Sequence, residues 1–298
     1  MNKKDFLERD RILLAITEDG SHRIAIAKTT QVVKTAMERH QLSPLSAVLL
    51  GRTLTGCALL ATNLKGEERV QLKLEGNGPV QALITEASKH GEVRGYTLNP
   101  AAEISLKEGE NLADGLGVGV LSVSKILYNK AHPVTGTVEL IRGSVSEDLA
   151  YYLLQSEQVP SAVSLDVSLD EHGNIAEAGG VLVQALPGAD ETVSKKLEDH
   201  IRTMPNICQL IEEGYLDRVL SKVTGTLPVK ELARYPVDFF CRCSKDRFKS
   251  SLALISPDEL SDMKSETEEL VCHYCNEKYH FTKQEIDAIV QKAKIRQN

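Results

Sequence analysis

An α+β fold in three parts is predicted for this chain of 298 residues: an N-terminal domain of mixed sheet and helix (1–189), a helical linker (190–230) and a small cysteine-bearing C-terminal domain (231–298). Three observations predict it. Period-two hydrophobic stretches interleave with helical runs between residues 11 and 187. From 190 to 225 the pattern changes to short amphipathic helices. Four of the six cysteines then fall between 241 and 275.

The elements follow in order. RILLAITE (11–18) and HRIAIAKT (22–29) flank Asp19-Gly20-Ser21, a hairpin signal, because Asp-Gly readily takes the positive φ of tight turns. Thr30 is placed to cap a helix through about His40. Ser43-Pro44 opens a longer apolar helix through Leu64, whose small residues and two internal glycines call for close packing against a sheet. Strands return at 69–76, 80–88 and 91–96, the first two separated by a turn at Asn77-Gly78-Pro79, and again at 119–127 and 135–141. Ser146, followed by Glu147 and Asp148, reads as the N-cap of a helix over 146–159, since acids suit a helix start. A hairpin over 163–187 closes this part.

The linker reads as three short helices (191–204, 207–214, 215–225) punctuated by Pro205, Gly214 and Gly225. Its apolar stripes, formed by Leu197, Ile201, Met204, Leu210, Ile211, Leu216, Val219 and Leu220, must cover something. In the C-terminal region helices are expected over 256–263 and 282–294. Thr282 with Glu285 makes a capping-box pattern for the second.

Aromatics are only 4% of the chain and tryptophan is absent, so the cores should be aliphatic. A net charge of -7 argues against a phosphate-binding surface, and residues 236–298 are balanced at 10 Lys/Arg against 11 Asp/Glu, so no nucleic-acid partner is expected. Gly109–Gly119 has G-x-G spacing but neither a GKS/T nor a full G-x-G-x-x-G, so no nucleotide is expected. The scattered histidines lack a matching nucleophile and acid, and no enzymatic role is expected. The N-terminus lacks a signal-peptide pattern, and no stretch of about 18 residues reads as a membrane span. A cytoplasmic, membrane-free protein is expected.

Cys241-Arg242-Cys243 and Cys272-His273-Tyr274-Cys275 pair a C-x-C with a C-x-x-C. Four thiolates converging from two tight turns match what tetrahedral zinc needs, so Cys241, Cys243, Cys272 and Cys275 are the predicted ligands of one Zn²⁺ and the domain is read as zinc-binding. A complete set of four sulfurs leaves no vacancy for the nearby His273 and His280. At zinc–sulfur distances of about 2.3 Å the sulfurs lie within about 4 Å of one another, so loss of the metal leaves thiols placed to couple. Metal binding and disulfide formation are thus alternative fates of the site. Cys57 and Cys208 sit among apolar neighbours and read as buried packing residues.

These motifs, together with GRTLTGCALLATNLKGEE, EGNGPVQA, SEDLAYYLLQSEQVPSAVSLDV and GGVLVQALPGA in the body, resemble the redox-regulated thirty-three-kilodalton heat-shock chaperone family, the bacterial 33-kDa chaperonin. The resemblance spans nearly the whole chain, with no departure at the cysteines. It implies an ATP-independent holdase, inactive when reduced and zinc-bound. Under oxidative stress, zinc loss and two disulfides, Cys241–Cys243 and Cys272–Cys275, would activate it to bind unfolding client proteins. It also implies a homodimer in the oxidised state. Two other readings of the cysteines are open: a constitutive zinc-ribbon module contacting a fixed partner or RNA, and an oxidoreductase using Cys272 and Cys275. The second has no need of the C-x-C pair.

Overall fold

The computed structural model describes residues 9–104, 112–256, 259–260 and 266–297. Its contacts divide the chain between Phe240 and Cys241 into two units. The α+β class expected from the sequence is what it shows.

Helix Pro44–Ala61 organises the larger unit. It is apolar on nearly every side, and such a helix belongs in a core. Ser43 caps it by accepting from the Ser46 amide at 3.3 Å, with proline at its first position. By length and hydropathy it could cross a membrane, which corrects the expectation that no stretch qualifies. Its most apolar window is nevertheless 89% buried inside the fold, as a core helix is. A Cβ on Gly51 would meet Val33 at 2.7 Å and Val167 at 3.0 Å, and one on Gly56 would meet Leu149 and Leu165 at 3.2 Å. The close packing read from its glycines is therefore present.

Two sheets flank this helix. The first is formed by β1 (Arg11–Thr17), β2 (His22–Lys28), β8 (Ser161–Leu169), β9 (Ile175–Ala185) and β10 (Val229–Pro236), in the order β10-β1-β2-β9-β8. The second is formed by β3 (Arg69–Gly76), β4 (Ala82–Ser88), β5 (Glu92–Thr97), β6 (Gly119–Ile126), β7 (Val134–Glu139) and β11 (Asp238–Phe239), in the order β11-β5-β4-β3-β6-β7. The β1–β2 hairpin turns where expected, with Gly20 at φ 71° and the Asp19 carboxylate accepting from the Ser21 amide at 3.0 Å. Residues 105–111, which include part of the glycine-rich stretch, lie outside the described residues. Gly115 and Gly78 allow a close backbone approach: a Cβ on Gly78 would stand 2.6 Å from Gly115 O.

Two caps differ from the sequence reading. Helix Thr30–His40 is not capped by Thr30, whose hydroxyl donates to Glu177. The Val32 amide is met instead by Asp10 Oδ2 at 2.8 Å, a partner 22 residues away. Helix Ser146–Gln155 is not capped by Ser146, whose hydroxyl accepts from the Leu165 amide at 3.0 Å. Ser144 Oγ accepts from the Glu147 amide at 3.2 Å, and the Asp148 carboxylate takes the amides of Ile141, Arg142 and Val145.

The linker forms two helices rather than three, Glu191–Thr203 and Ile207–Thr224. The expected break at Gly214 survives as a local irregularity: Tyr215 has φ 62°, in the left-handed region that non-glycine residues avoid. Burial of its ring and a hydrogen bond from its hydroxyl to Arg9 O at 2.9 Å hold it there. The apolar stripes cover the five-stranded sheet, on the face away from the central helix. Leu197, Ile207, Leu210, Ile211, Leu216 and Val219 pack on Leu13, Ile24, Ile26, Val181 and Val183. After this helix the chain returns as β10, paired with β1, and β11, paired with β5. A boundary drawn at 231 thus lies ten residues before the break in contacts at Cys241, because 229–239 is strand in the larger unit.

The smaller unit holds helix Lys245–Leu252, the hairpin β12 (Thr267–Val271) and β13 (Lys278–Thr282), and helix Lys283–Gln297. Most of the helix expected over 256–263 lies outside the described residues. The capping box is present: the Glu285 amide donates to Thr282 Oγ1 at 3.3 Å, and the Thr282 amide to Glu285 Oε2 at 3.1 Å. Leu252, Leu260, Phe281, Ile286, Ile289 and Val290 form its core.

Candidate metal centre

Two short segments of the smaller unit present the four cysteines. Cys241 and Cys243 lie on the extended chain just before Ser244, which caps helix Lys245–Leu252 through its hydroxyl and the Arg247 amide at 3.2 Å. Cys272 and Cys275 form the turn of the β12–β13 hairpin. There the Asn276 amide donates to Cys272 O at 2.7 Å, the Cys272 amide to Glu277 O at 2.9 Å, and Asn276 takes φ 56°. Asparagine tolerates this left-handed backbone better than most residues.

All four sulfurs fall within 4.8 Å of one another. Cys241 and Cys272 are 3.8 Å apart, and Cys243 and Cys275 are 3.3 Å apart. A tetrahedron with metal–sulfur bonds of about 2.3 Å has an edge of about 3.8 Å, so the donor set fits a metal ion. Cys272 and Cys275 are buried, whereas Cys241 and Cys243 are half-buried. The Cys275 amide also donates to Cys272 O, at 3.3 Å, so the turn that carries both cysteines is held by main-chain hydrogen bonds. Burial, and after it the neighbouring Cys241 sulfur, pushes the Cys272 thiol up; burial also pushes the Cys275 thiol up. A bound cation reverses that balance, because its charge favours the thiolates that metal-free sulfurs oppose in one another.

Among the described residues this is the one cluster of three or more His, Cys, Asp and Glu side chains able to hold a metal, and neither His273 nor His280 belongs to it. His280 faces Glu269 instead, at 3.8 Å. The Cys57 thiol donates to Val70 O and that of Cys208 to Glu177 O, and burial pushes both up to about 12. Both are packing residues. One contact had no signal in the motif spacing: Tyr279 Oη donates to Cys243 Sγ at 3.2 Å. Only the register of β13 brings that hydroxyl to the site.

The family model described as Hsp33 protein matches residues 10–282. The chain is 39% identical over 289 residues to the 33 kDa chaperonin of Desulforamulus reducens, covering 95% of this chain and 98% of that one. It is 39% identical over 286 residues to the 33 kDa chaperonin of Bacillus velezensis, covering 94% and 98%. The crystal structure of the 33 kDa chaperonin (heat shock protein 33 homolog) of Thermotoga maritima superposes with a TM-score of 0.89 at 33% identity, over 97% of this chain and all of that one. These relatives bear the name of a chaperone and not of an enzyme, and with a family match across most of its length the chain belongs to the Hsp33 family.

Proposed function

We propose that this protein is a redox-gated, ATP-independent holdase whose four-cysteine centre is its sensor. The carrying observation is the convergence of Cys241, Cys243, Cys272 and Cys275 within 4.8 Å in a unit whose own apolar core is small. In the reduced protein these cysteines hold one Zn²⁺, which screens their mutual repulsion and supplies much of the unit's folding free energy, on the order of 10 kcal/mol. A soft, all-thiolate donor set at tetrahedral spacing favours zinc among the common divalent ions.

Under peroxide, Cys241 pairs with Cys243 and Cys272 with Cys275. Each pair of thiolates gives two electrons to one peroxide, which takes up two protons and leaves as two waters. Local disulfides close loops of only a few residues, so they constrain the unfolded chain little and do not replace the metal's contribution. The smaller unit then unfolds. Phe240, whose amide donates to Val93 O at 2.9 Å, precedes Cys241 directly, so fraying spreads along the chain through β11 and β10 to the linker helices. Their release uncovers the apolar face of Leu13, Ile24, Ile26, Val181 and Val183, a surface for exposed segments of unfolding clients.

In this reading residues 1–189 bind clients and dimerise, 190–230 form the mobile cover and 231–298 the switch, in which 241–298 sense oxidation and strands β10 and β11 relay it. Mutual burial of the uncovered face supports a homodimer in the oxidised state. The cytoplasm suits a protein whose resting thiols must stay reduced. Zinc release and suppression of a denatured protein's aggregation, followed in parallel before peroxide, after it and after a reductant, should rise and fall together. Client binding that is unchanged while zinc leaves and returns would reject the reading.

A further inference from the structure

Tyr279 lies on β13, and its hydroxyl stands 3.2 Å from Cys243 Sγ. Its ring packs against Phe248 with centroids 4.9 Å apart. Phe248 belongs to the helix that begins two residues after Cys243, so the ring is backed by the same segment that carries the sulfur. Cys272 and Cys275 are placed by a turn of main-chain hydrogen bonds, which no side-chain substitution removes. Cys243 receives a side-chain donor.

Resting on the reading of the four cysteines as zinc ligands, we propose that Tyr279 is a positioning residue that sets how readily Cys243 is oxidised relative to the Cys272–Cys275 pair. Oxidation begins when a thiolate lone pair attacks one peroxide oxygen, breaking the O–O bond to give sulfenic acid and hydroxide. The thiolate of Cys241 then attacks the Cys243 sulfenic sulfur and expels a second hydroxide, leaving the disulfide. A lone pair engaged by the Tyr279 O–H is less available for the first of these steps. The same hydrogen bond disperses charge on a site with more thiolate charge than the metal offsets, and outer-shell donors of this kind support metal affinity.

Tyr279→Phe keeps the ring on Phe248 and removes only the donor, while Tyr279→Leu removes both. The reduced, zinc-loaded proteins would be given less than one equivalent of peroxide and alkylated, and the two disulfides quantified by peptide mass spectrometry. Zinc affinity would be read by competition with a chromogenic chelator. The Phe variant should shift the product ratio toward Cys241–Cys243 by about threefold or more, and bind zinc about tenfold more weakly. An unchanged ratio, equal acceleration of both pairs, or a shift in the Leu variant alone would overturn the assignment, since each points to packing and not to the hydroxyl. Wild-type protein that binds one zinc while the Phe variant behaves identically would sink this inference only. Reduced wild type that binds no zinc would sink the switch itself and this inference with it.

Discussion

Ile211 of the linker helix sits directly on Gly179 of β9: a Cβ added to Gly179 would collide with Ile211 Cδ1 and stand 2.6 Å from Ala27 O. The absence of a side chain at this position lets the helix descend onto the five-stranded sheet, and Ile207 lies 3.4 Å from the same point. The close seating of Ile207 and Ile211 on the sheet therefore depends on the absence of a side chain at Gly179.

Gly179→Ala should lift the helix from the sheet. Overpacking of this kind costs about 1–3 kcal/mol, and here the cost falls on docking, because the Cβ meets a helix that can move away as well as a backbone oxygen that cannot. Reduced, zinc-loaded Gly179→Ala protein is expected to suppress aggregation of a denatured client without oxidant and to be cut faster by protease within 190–230. Wild-type inactivity of the reduced variant would show that the linker does not mask the client surface.

The hydrogen bond from Tyr215 Oη to Arg9 O joins the linker helix to the chain two residues before β1 and accompanies the left-handed backbone of Tyr215. Tyr215→Phe keeps the buried ring and loses the bond, worth about 1 kcal/mol. Amides of 207–224 should then exchange about fivefold faster by local opening, while those of the central helix Pro44–Ala61 stay as protected as before. Hydrogen-exchange mass spectrometry separates the two segments.

What the sequence disclosed, and what it did not, follows the range of each interaction. The cysteine site was legible because both pairs are local, and Asn276 and the tight turn at 272–275 supply the rest. The β1–β2 hairpin and the Thr282–Glu285 box were legible for the same reason. The caps were not, because Asp10 serves an amide 22 residues away and Ser146 was drawn off by Leu165. β10 was missed because as an edge strand it carries Lys230, Glu231 and Arg234 with no buried alternation. The Tyr279–Cys243 contact needed a cross-strand register, Tyr279 opposite Leu270, that no motif encodes.

Asp10 predicts a pH dependence. Among the described residues its buried Oδ1 has no hydrogen-bond partner, and burial pushes its carboxyl up to about 7, against the opposing pull of the Val32 amide and Lys28. A carboxyl whose folded value exceeds its unfolded one, 3.8, holds its proton more tightly in the native state. The associated stability is present below the unfolded value and is lost as pH rises through 7. The larger unit should therefore resist urea better at pH 5 than at pH 8, by an amount on the order of a few kcal/mol. Asp10→Asn, whose amide oxygen still accepts from Val32, should flatten this slope. The slope is the proper readout, because the new amide N–H would itself lack a partner. Following the sheet signal of the zinc-loaded protein reads the larger unit with its linker in place, and a slope unchanged by the substitution would assign it to another group.

Removing the metal's ligands tests whether oxidation matters in itself or only through loss of the fold. Cys241→Ser with Cys243→Ser leaves Cys272 and Cys275, half of a tetrahedral set, and two thiolates do not hold a structural zinc. Without it, the core of Leu252, Leu260, Phe281, Ile286, Ile289 and Val290 is too small to sustain the unit. The double variant should show rapid proteolysis across 241–297, an intact larger unit, and client binding in the presence of reductant, where no disulfide can form. Zinc-free double variant that bound clients no better than reduced wild type would mean that unfolding of the smaller unit is not what frees the linker. Activity would then have to come from the disulfides themselves, since they are the one product of oxidation that the variant cannot make between positions 241 and 243.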